Sequence, residues 1–207
     1  MALEVIAGGT PPSGNLREPM IMTAIYLFNR HGYHATSLKD IGDTLGVANT
    51  AVYHYFKNKG ALLEAACEWS ACIFESALDQ AAETPGPAVE RIVSFIDHMF
   101  ILVSQRGEFL LERELRGLGE EGFEQALSRF SDQMIRLETL LFEGMEDGSI
   151  APCDPPTTVQ MLRGAIASFI GWAHKPEGYT DAFLHEKALD FIRRSLSPVG
   201  STAIAAE

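Results

Sequence analysis

Apolar residues recur at helical spacing near the start of the chain, and a similar pattern returns in two shorter segments. The first stretch places one apolar stripe along a helix that is predicted to end near His31. Residues 38 to 57 contain two short amphipathic segments separated by Gly46, where the chain reversal requires a residue that tolerates positive φ. The pattern predicts one helix followed by a helix-turn-helix. The apolar positions of the first stripe are Ile21, Ala24, Leu27 and Phe28.

The helix-turn-helix has its own predicted core. Five apolar side chains are spaced so that they bury one side of both short helices, and the small Gly42 lets the two backbones approach closely. Thr36 or Ser37 is expected to cap the second helix, and the third helix is predicted from Asn49 to Tyr55. The opposite side of the two helices remains free for DNA. The five core residues are Ile41, Leu45, Val47, Val52 and Phe56.

The remainder of the chain is also predicted to be helical. Residues 84–87, TPGP, end a long fourth helix, because two prolines remove backbone donors and clash with the preceding turn. Asn15 and Glu18 have the spacing of a capping box for the first helix. No strand is predicted. The helices expected after the head cover residues 61–83, 88–105, 108–117, 120–147, 155–174 and 181–196.

These elements predict an all-α fold, in which a three-helix helix-turn-helix head is joined to a larger helical body. The head is predicted to span residues 15–60 and the body residues 61–198. Residues 1–14 combine Gly and Pro without a period and are expected to form a disordered tail. Residues 199–207 are expected to form a flexible tail.

The acidic charge of the chain is unevenly distributed. The formal net charge is −12, from 16 basic and 28 acidic residues. Residues 15 to 65 contain five basic and four acidic residues, so the negative excess lies almost entirely in the rest of the chain. Duplex DNA should therefore be attracted to the head and repelled by the body, which orients the molecule.

Several classes of protein are disfavoured. No apolar run reaches the roughly 18 residues that a membrane span requires, and the start lacks the basic and apolar segments of a signal peptide. A cytoplasmic protein without a membrane partner is expected. Motifs for a zinc protease, a phosphate-binding loop or a dinucleotide site are absent, and the three cysteines lack metal-ligand spacing. No catalytic residue, metal or cofactor is expected, and the chain is not predicted to be an enzyme.

The outward side of the third helix has the chemistry of base recognition. Asn pairs with adenine through two hydrogen bonds, Thr offers a hydroxyl and a methyl group, and Tyr reaches a base edge or a phosphate. Ser37 at the start of the second helix is expected to form a small anion site, with Lys39 adding charge. Lys57 and Lys59 are expected to follow phosphate oxygens. The candidates on the third helix are Asn49, Thr50, Ala51, Tyr53 and His54.

The head carries a longer series of characteristic positions between residues 21 and 63. The series comprises Ile21, Ala24, Leu27, Phe28, Gly32, Tyr33, Ala35, Thr36, Ser37, Leu38, Asp40, Ile41, Gly46, Val47, Tyr53, Phe56, Lys57, Lys59 and Leu62. With it, the chain resembles the DNA-binding head of the TetR (tetracycline-repressor) family of transcription regulators.

The resemblance implies a helical ligand-binding body, a homodimer and a repressor that a small molecule releases from a double-stranded DNA operator. Two positions depart from the family pattern. Ala48 stands where such proteins often have a capping Ser, which puts one phosphate contact in doubt, and Gly42 replaces the commoner Ala. The DNA contacts implied by matching positions are Ser37, Lys39, Asn49, Thr50, Ala51, Tyr53 and Lys59.

The middle helices contain an excess of large apolar residues, which line a ligand cavity or simply fill the core. Helical bundles commonly bind apolar ligands between their helices. Arg113 and Arg116 are candidates to bind a carboxylate or a phosphate, although Arg on a polar helix face is usually only solvated. The predicted ligand-binding residues are Trp69, Phe95, His98, Met99, Leu102, Arg113, Arg116, Phe123, Leu137, Leu141, Phe169 and Trp172.

The segments ELRGL and WAHKPEG resemble regulators of lipid, steroid or acyl-coenzyme A catabolism within the same family. This resemblance implies a fatty acid, a steroid or an acyl-coenzyme A as effector, with an elongated apolar part and an anionic end. The alternative is a regulator of the same fold that is controlled by a protein partner instead of a metabolite.

A homodimer is expected because one short recognition helix buries too little surface for operator affinity. Two heads must lie about 34–36 Å apart to read successive turns of the major groove. The last two helices are the predicted dimer seam; the alternative is that they bury their apolar stripes within their own subunit. The stripes are Leu162, Ala165, Ile166, Phe169 and Trp172 on one helix and Leu184, Ala188, Phe191 and Ile192 on the other.

Overall fold

The computed structural model describes residues 15–170 and 179–198, without the side chains of residues 169 and 170. Every regular element in these ranges is a helix, which confirms the all-α class. No described helix is both long and apolar enough to cross a bilayer. The two predicted tails lie outside the described residues. The helices are α1 (Arg17–His31), α2 (Leu38–Leu45), α3 (Asn49–Tyr55), α4 (Lys59–Glu83), α5 (Ala88–Arg106), a 3₁₀ helix (Glu112–Leu118), α6 (Gly119–Glu146), α7 (Pro155–Ile170) and α8 (Asp181–Leu196).

The start and the end of α2 follow from two local signals. The Ser37 hydroxyl accepts a hydrogen bond from the Asp40 N–H at 3.2 Å, and the Asp40 carboxylate accepts one from the Ser37 N–H at 2.7 Å. This reciprocal capping box satisfies two backbone donors at the helix start. At the other end Gly46 has a φ of 67°, in the left-handed region that favours glycine.

Gly42 permits the predicted close approach between α2 and the segment that leads into α3. A Cβ added to Gly42 would lie 3.2 Å from the Val47 carbonyl oxygen and 3.3 Å from a Val52 methyl group. Val52 and Phe56 are buried in the core of the head, whereas Val47 lies at its edge. The helix-turn-helix therefore forms around the apolar side that the sequence predicts.

The start of α1 departs from the predicted capping box. The cap position is Leu16, which has no side-chain acceptor, and the Asn15 side chain accepts a hydrogen bond from the Arg17 N–H at 3.0 Å instead. Because the helix begins one residue later than expected, Glu18 occupies its second position and not the third, which a capping box requires.

The helix predicted over residues 108–117 is wrong in its first half. Gly107, with a φ of 82°, ends α5, and the chain becomes helical again only at Glu112. The N–H of Leu110 donates to Ser70 Oγ at 2.8 Å, and the N–H of Leu111 donates to Asn29 Oδ1 at 3.0 Å. Side chains that are distant in the sequence thus take the place of helix carbonyls as acceptors.

The described chain divides into two compact units. The first contains residues 15–73 and Leu102–Phe130, and the second contains Phe74–Ile101, 131–170 and 179–198. The chain passes from one unit to the other within α4, α5 and α6. The predicted boundary at residue 60 marks off the DNA-binding helices and stays a prediction.

In the first unit, residues 107–118 are fastened to α1 and to the turn that follows it. Arg30 donates to both carboxylate oxygens of Glu108, at 3.0 and 2.9 Å. The buried Glu114 carboxylate accepts a hydrogen bond from the Tyr33 N–H at 2.7 Å. We call residues 107–118 the clasp segment. If the clasp segment moves, its hydrogen bonds to Arg30 of α1 and to the Tyr33 N–H must therefore move with it or break.

In the second unit, two side chains of the turn after α6 hold the start of α5. Asp147 accepts a hydrogen bond from the Ala88 N–H at 2.9 Å, and Ser149 Oγ accepts one from the Val89 N–H at 3.2 Å. Hydrogen bonds from Ser149 and from Ala88 hold the pKa of Asp147 below its usual value. Asp147 and Ser149 therefore act as caps for α5, although they follow α6 in the chain.

Most of the predicted dimer seam is buried within its own subunit, so the prediction for those residues is wrong. The apolar stripe of a helix identifies its buried side but not the molecule that covers it. In α8 the exception is Phe191, which remains 56% exposed. The side chains of Phe169 and Trp172 lie outside what the structure describes. The seam residues that the second unit buries are Leu162, Ile166, Leu184, Ala188 and Ile192.

Candidate nucleic-acid interface

The outward side of α3 presents polar side chains that the head does not use for its own packing. Asn49 and Thr50 are exposed, and Tyr53 is 56% exposed, whereas Val52 and Phe56 are buried. Within the described residues, the side chains of Asn49, Thr50 and Tyr53 make no hydrogen bond. Their donors and acceptors are therefore available for base edges.

An open surface depression adjoins this side of α3 and reaches the start of α2. Three lysines contribute to its lining, and none of the described residues that line it is a carboxylate. A concave surface with cations and uncharged polar groups suits a phosphate backbone. The lining residues are His34, Ala35, Thr36, Ser37, Leu38, Lys39, Asn49, Tyr53, Lys57, Asn58 and Lys59.

The three lysines of the depression differ in their partners. Lys57 is exposed and forms no hydrogen bond or ion pair within the described residues. Lys39 Nζ lies 2.6 Å from Asp43 Oδ2 in an exposed pair, and this hydrogen bond raises the pKa of Lys39. Lys59 Nζ instead donates to backbone carbonyls of the turn after α1, so the structure does not place it as the phosphate contact that the sequence predicts.

Ser37 does not form the predicted anion site. Its hydroxyl donates to the Asp40 carboxylate at 2.7 Å and accepts from the Asp40 N–H, so both hydrogen-bonding functions are used. The hydrogen bonds from Ser37 hold the pKa of Asp40 below its usual value. The carboxylate is ionised at neutral pH, and a phosphate at this helix end would meet a like charge. Ser37 is therefore a capping residue.

Ala51 and His54 have more limited access to a ligand than the other candidates on α3. Ala51 is partly buried and packs against the core of the first unit. His54 is exposed, and its ring contacts Tyr55 edge to face at a centroid distance of 5.3 Å. The sequence prediction missed His34 and Asn58, which line the depression from the turns that flank the helices. In the sequence, each of these two residues is recognisable only as a polar residue close to the start of a helix.

The predicted ligand-binding residues are distributed over both units. In the first unit, Arg113 donates to the Glu114 carboxylate at 2.9 Å and to the Asn29 carbonyl oxygen. Its guanidinium therefore already has hydrogen-bond partners within the protein. Arg116 lies over the Phe123 ring, 5.7 Å from its centroid. The predicted residues of the first unit are Trp69, Leu102, Arg113, Arg116 and Phe123, and those of the second are Phe95, His98, Met99, Leu137 and Leu141.

Most of the apolar candidates belong to the interior. Phe95, Met99 and Leu141 have no exposed surface. His98 is partly buried, and its Nε2 lies 3.5 Å from Ser76 Oγ. The indole N–H of Trp69 is buried and has no acceptor among the described residues. No group of three or more His, Cys, Asp or Glu side chains in the described ranges is arranged to hold a metal ion.

Residues 21–66, which include α2, α3 and most of α1, match the model of bacterial regulatory proteins of the tetR family. The chain belongs to the TetR family. The match covers the helix-turn-helix and the residues that border the depression. This TetR-family member is therefore a DNA-binding transcriptional regulator.

The similarity to known proteins is not limited to the head and covers most of the chain. The HTH-type transcriptional repressor KstR2 of Mycolicibacterium smegmatis is 24% identical over 170 residues, which cover 78% of this chain and 80% of KstR2. The crystal structure of AibR in complex with isovaleryl coenzyme A and operator DNA has a TM-score of 0.70 at 24% identity and covers 89% of this chain and 99% of AibR. The ketosteroid transcriptional regulator KstR2 of Mycobacterium tuberculosis has a TM-score of 0.68 at 20% identity, with 93% and 99% covered. The fold is thus shared beyond the head.

Proposed function

We propose that this protein is a repressor that binds a palindromic operator as a homodimer and is released by a small apolar or amphipathic ligand. The observation that carries the proposal is the row of unpartnered polar side chains on α3 beside a depression with three lysines. A helix in the major groove reads base edges with such side chains, while neighbouring cations hold the phosphates.

The proposed base contacts follow from the chemistry of α3. Asn49 pairs with adenine, Thr50 contacts thymine through its hydroxyl and methyl groups, and Tyr53 reaches a base edge or a phosphate. Lys57 is the proposed phosphate contact, because its ammonium has no partner within the described residues. Lys39 is a second, since its exposed pair with a neighbouring carboxylate exchanges readily for a phosphate.

Replacing Asn49 with alanine is expected to relax sequence choice at one position in each half-site. The bidentate pairing of Asn with adenine contributes about 1–3 kcal/mol of discrimination against other bases. Selection from random oligonucleotides with wild-type and variant protein measures the change. Lys57→Gln is the control: it should weaken all sequences alike and reduce the slope of log affinity against log salt by about 1.8, which is about 0.9 for each subunit of the dimer.

Two results of this selection would contradict the proposal. A wild-type protein that recovers no palindrome would remove operator recognition as the function. An Asn49→Ala variant with an unchanged sequence preference would remove Asn49 from the base contacts.

The proposed homodimer uses the outward sides of α7 and α8. Met161 is 70% exposed, Phe183 39% and Phe191 56%. A Cβ added to Gly164 of α7 would meet no atom within 4 Å, so this position faces open space in the single chain. Exposed apolar side chains on both helices and the open position at Gly164 allow two copies to pack closely. This face replaces the inward stripes that the sequence predicts.

The proposed effector has an elongated apolar part and an anionic end. The similar proteins AibR and KstR2 support this class, since the AibR structure is a complex with isovaleryl coenzyme A and KstR2 is described as a ketosteroid transcriptional regulator. Of the two predicted arginines, Arg116 is the proposed anion contact, because Arg113 is held by Glu114. The unpartnered indole N–H of Trp69 is a donor for a ligand carbonyl or carboxylate.

The proposed mechanism is a shift between two conformations of the dimer that differ in the separation of the heads. Helix α4 begins in the head and continues to Glu83, so a ligand in the body can move the head through it. A ligand that favours the separated state by about 2.7 kcal/mol would weaken DNA binding roughly a hundredfold.

An effector of the proposed class should raise the melting temperature and release the operator. At a ligand concentration of about 100 Kd, binding stabilises the folded state by about 2.7 kcal/mol. Fatty acids, steroids and acyl-coenzyme A thioesters are tested by thermal shift and by fluorescence anisotropy of labelled operator. Trp69→Phe, which removes the buried N–H but keeps an aromatic ring, should bind the active compound more weakly. If no compound changes either signal, control by a protein partner becomes the better explanation.

A further inference from the structure

Lys59 lies at the first position of α4, and its side chain reaches back to the turn between α1 and α2. Lys59 Nζ donates to the carbonyl oxygens of Tyr33 at 2.8 Å, Thr36 at 2.9 Å and His34 at 3.4 Å. The same ammonium lies 4.2 Å from the centroid of the Tyr33 ring. One side chain therefore connects the start of α4 to three residues of a single turn.

The turn contains carbonyl oxygens that can accept hydrogen bonds from such a donor. Helix α1 ends at His31, and Gly32, with a φ of 85°, redirects the chain out of the helix. The carbonyl oxygens that follow have left the helix and need hydrogen-bond donors elsewhere. A lysine ammonium has three N–H donors, which equals the number of carbonyl oxygens that it contacts here. No N–H of Lys59 is left for a phosphate in this arrangement.

The same turn contributes to the DNA-facing surface. His34, Thr36 and Ser37 line the depression together with Asn49 and Tyr53 of α3. The position of the turn therefore sets the shape of the surface between α2 and α3. We propose that Lys59 is a positioning residue for DNA binding, which holds this turn in place by hydrogen bonds, and that it is not a phosphate contact. The proposal rests on the DNA-binding function proposed above.

The matched pair Lys57→Gln and Lys59→Gln tests the proposal. Both variants remove one positive charge from the same surface. We expect Lys57→Gln to reduce the salt slope of binding by about 1.8, because the dimer loses one phosphate contact of about 0.9 in each subunit. Lys59→Gln should keep the wild-type slope while its affinity falls about tenfold, because a shorter side chain with two donors cannot hold all three carbonyls. Lys59→Arg, which keeps the charge and the donors, should recover part of the affinity.

Binding is measured with the selected palindrome and with a mixed-sequence duplex of equal length. A Lys59→Gln variant whose salt slope falls as far as that of Lys57→Gln would show that Lys59 neutralises a phosphate, and would overturn the proposal. Unchanged affinity in this variant would also overturn it, because a positioning residue must affect the surface that it positions.

Two measurements without DNA keep the proposal separate from the proposed function. Hydrogen exchange of the backbone over residues 32–38 should be faster in Lys59→Gln and unchanged in Lys57→Gln. In the folded wild-type protein, the Lys59 ammonium should give a protected resonance by nuclear magnetic resonance, whereas the Lys57 ammonium should exchange quickly. If wild-type protein selects no palindrome, the operator function fails, while these measurements still decide the role of Lys59. An unprotected Lys59 ammonium would overturn that role.

Discussion

Replacing Phe191 with glutamate should convert the protein to a monomer and lower operator affinity about 100-fold or more. Phe191 is 56% exposed on the outward side of α8, where the proposed dimer forms. Transfer of a carboxylate into an apolar interface is costly because the charge loses water without gaining a partner. A monomer presents one recognition helix to one half-site, so the contribution of the second half-site to the binding free energy is lost. Native mass spectrometry and operator anisotropy measure the two effects.

Ile135→Glu is the matched control for this substitution. Ile135 is 57% exposed, which equals the exposure of Phe191 within 1%, and it lies on α6, outside the proposed face. The two variants therefore add the same charge at apolar positions of equal exposure. Ile135→Glu should remain dimeric and should bind the operator like the wild type. If Ile135→Glu dissociates the dimer and Phe191→Glu does not, the interface lies on α6.

The head was predictable because its signals are local. Ser37 caps α2, Gly46 ends it in the left-handed region, and Gly42 lies where two backbones meet. Each of these features depends on residues within about ten positions along the chain, so a single sequence contains the information. The unpartnered side of α3 follows from the same local pattern, since the burial of Val52 and Phe56 determines which residues face outward.

Several errors arose where a side chain finds its partner far along the chain. Ser70 and Asn29 accept hydrogen bonds from the clasp segment, and neither is recognisable in the sequence as an acceptor for it. Lys59 has the residue type and the position of a phosphate contact, but its ammonium donates hydrogen bonds to carbonyl oxygens of residues more than 20 positions away in the sequence. The prediction of the dimer seam was wrong for a related reason. Periodicity identifies the apolar side of α8, but it does not show whether that side is covered by its own subunit or by a second copy.

The second large effect is expected from Gly117→Ala, which should destabilise the first unit and weaken DNA binding. An added Cβ would lie 2.5 Å from Tyr33 Cδ1 and 2.8 Å from Leu63 Cδ2. The Tyr33 ring cannot move away freely, because it packs edge to face on Phe28 at 5.4 Å and Lys59 Nζ lies 4.2 Å from its centroid. Overpacking of this kind costs about 1–3 kcal/mol in the free energy of unfolding.

If Tyr33 moves to relieve this clash, the DNA-facing surface should also change. If Tyr33 is displaced, its N–H loses the Glu114 carboxylate and its carbonyl oxygen loses Lys59, both of which hold the turn before α2. We therefore expect Gly117→Ala to lower operator affinity even at temperatures where the protein is fully folded. Thermal denaturation gives the stability, and anisotropy well below the melting temperature gives the affinity.

Gly144→Ala separates this local effect from a general loss of stability. Its added Cβ would lie 2.5 Å from Ile150 Cγ1, a comparable clash, but Gly144 and Ile150 both belong to the second unit. Gly144→Ala should therefore lose a similar amount of stability, about 1–3 kcal/mol, while its folded form keeps the operator affinity of the wild type. Equal losses of affinity in the two variants would mean that the clasp segment has no specific influence on the DNA-facing turn. A Gly117→Ala protein that is less stable but binds the operator normally would show that the position of Tyr33 does not affect DNA recognition.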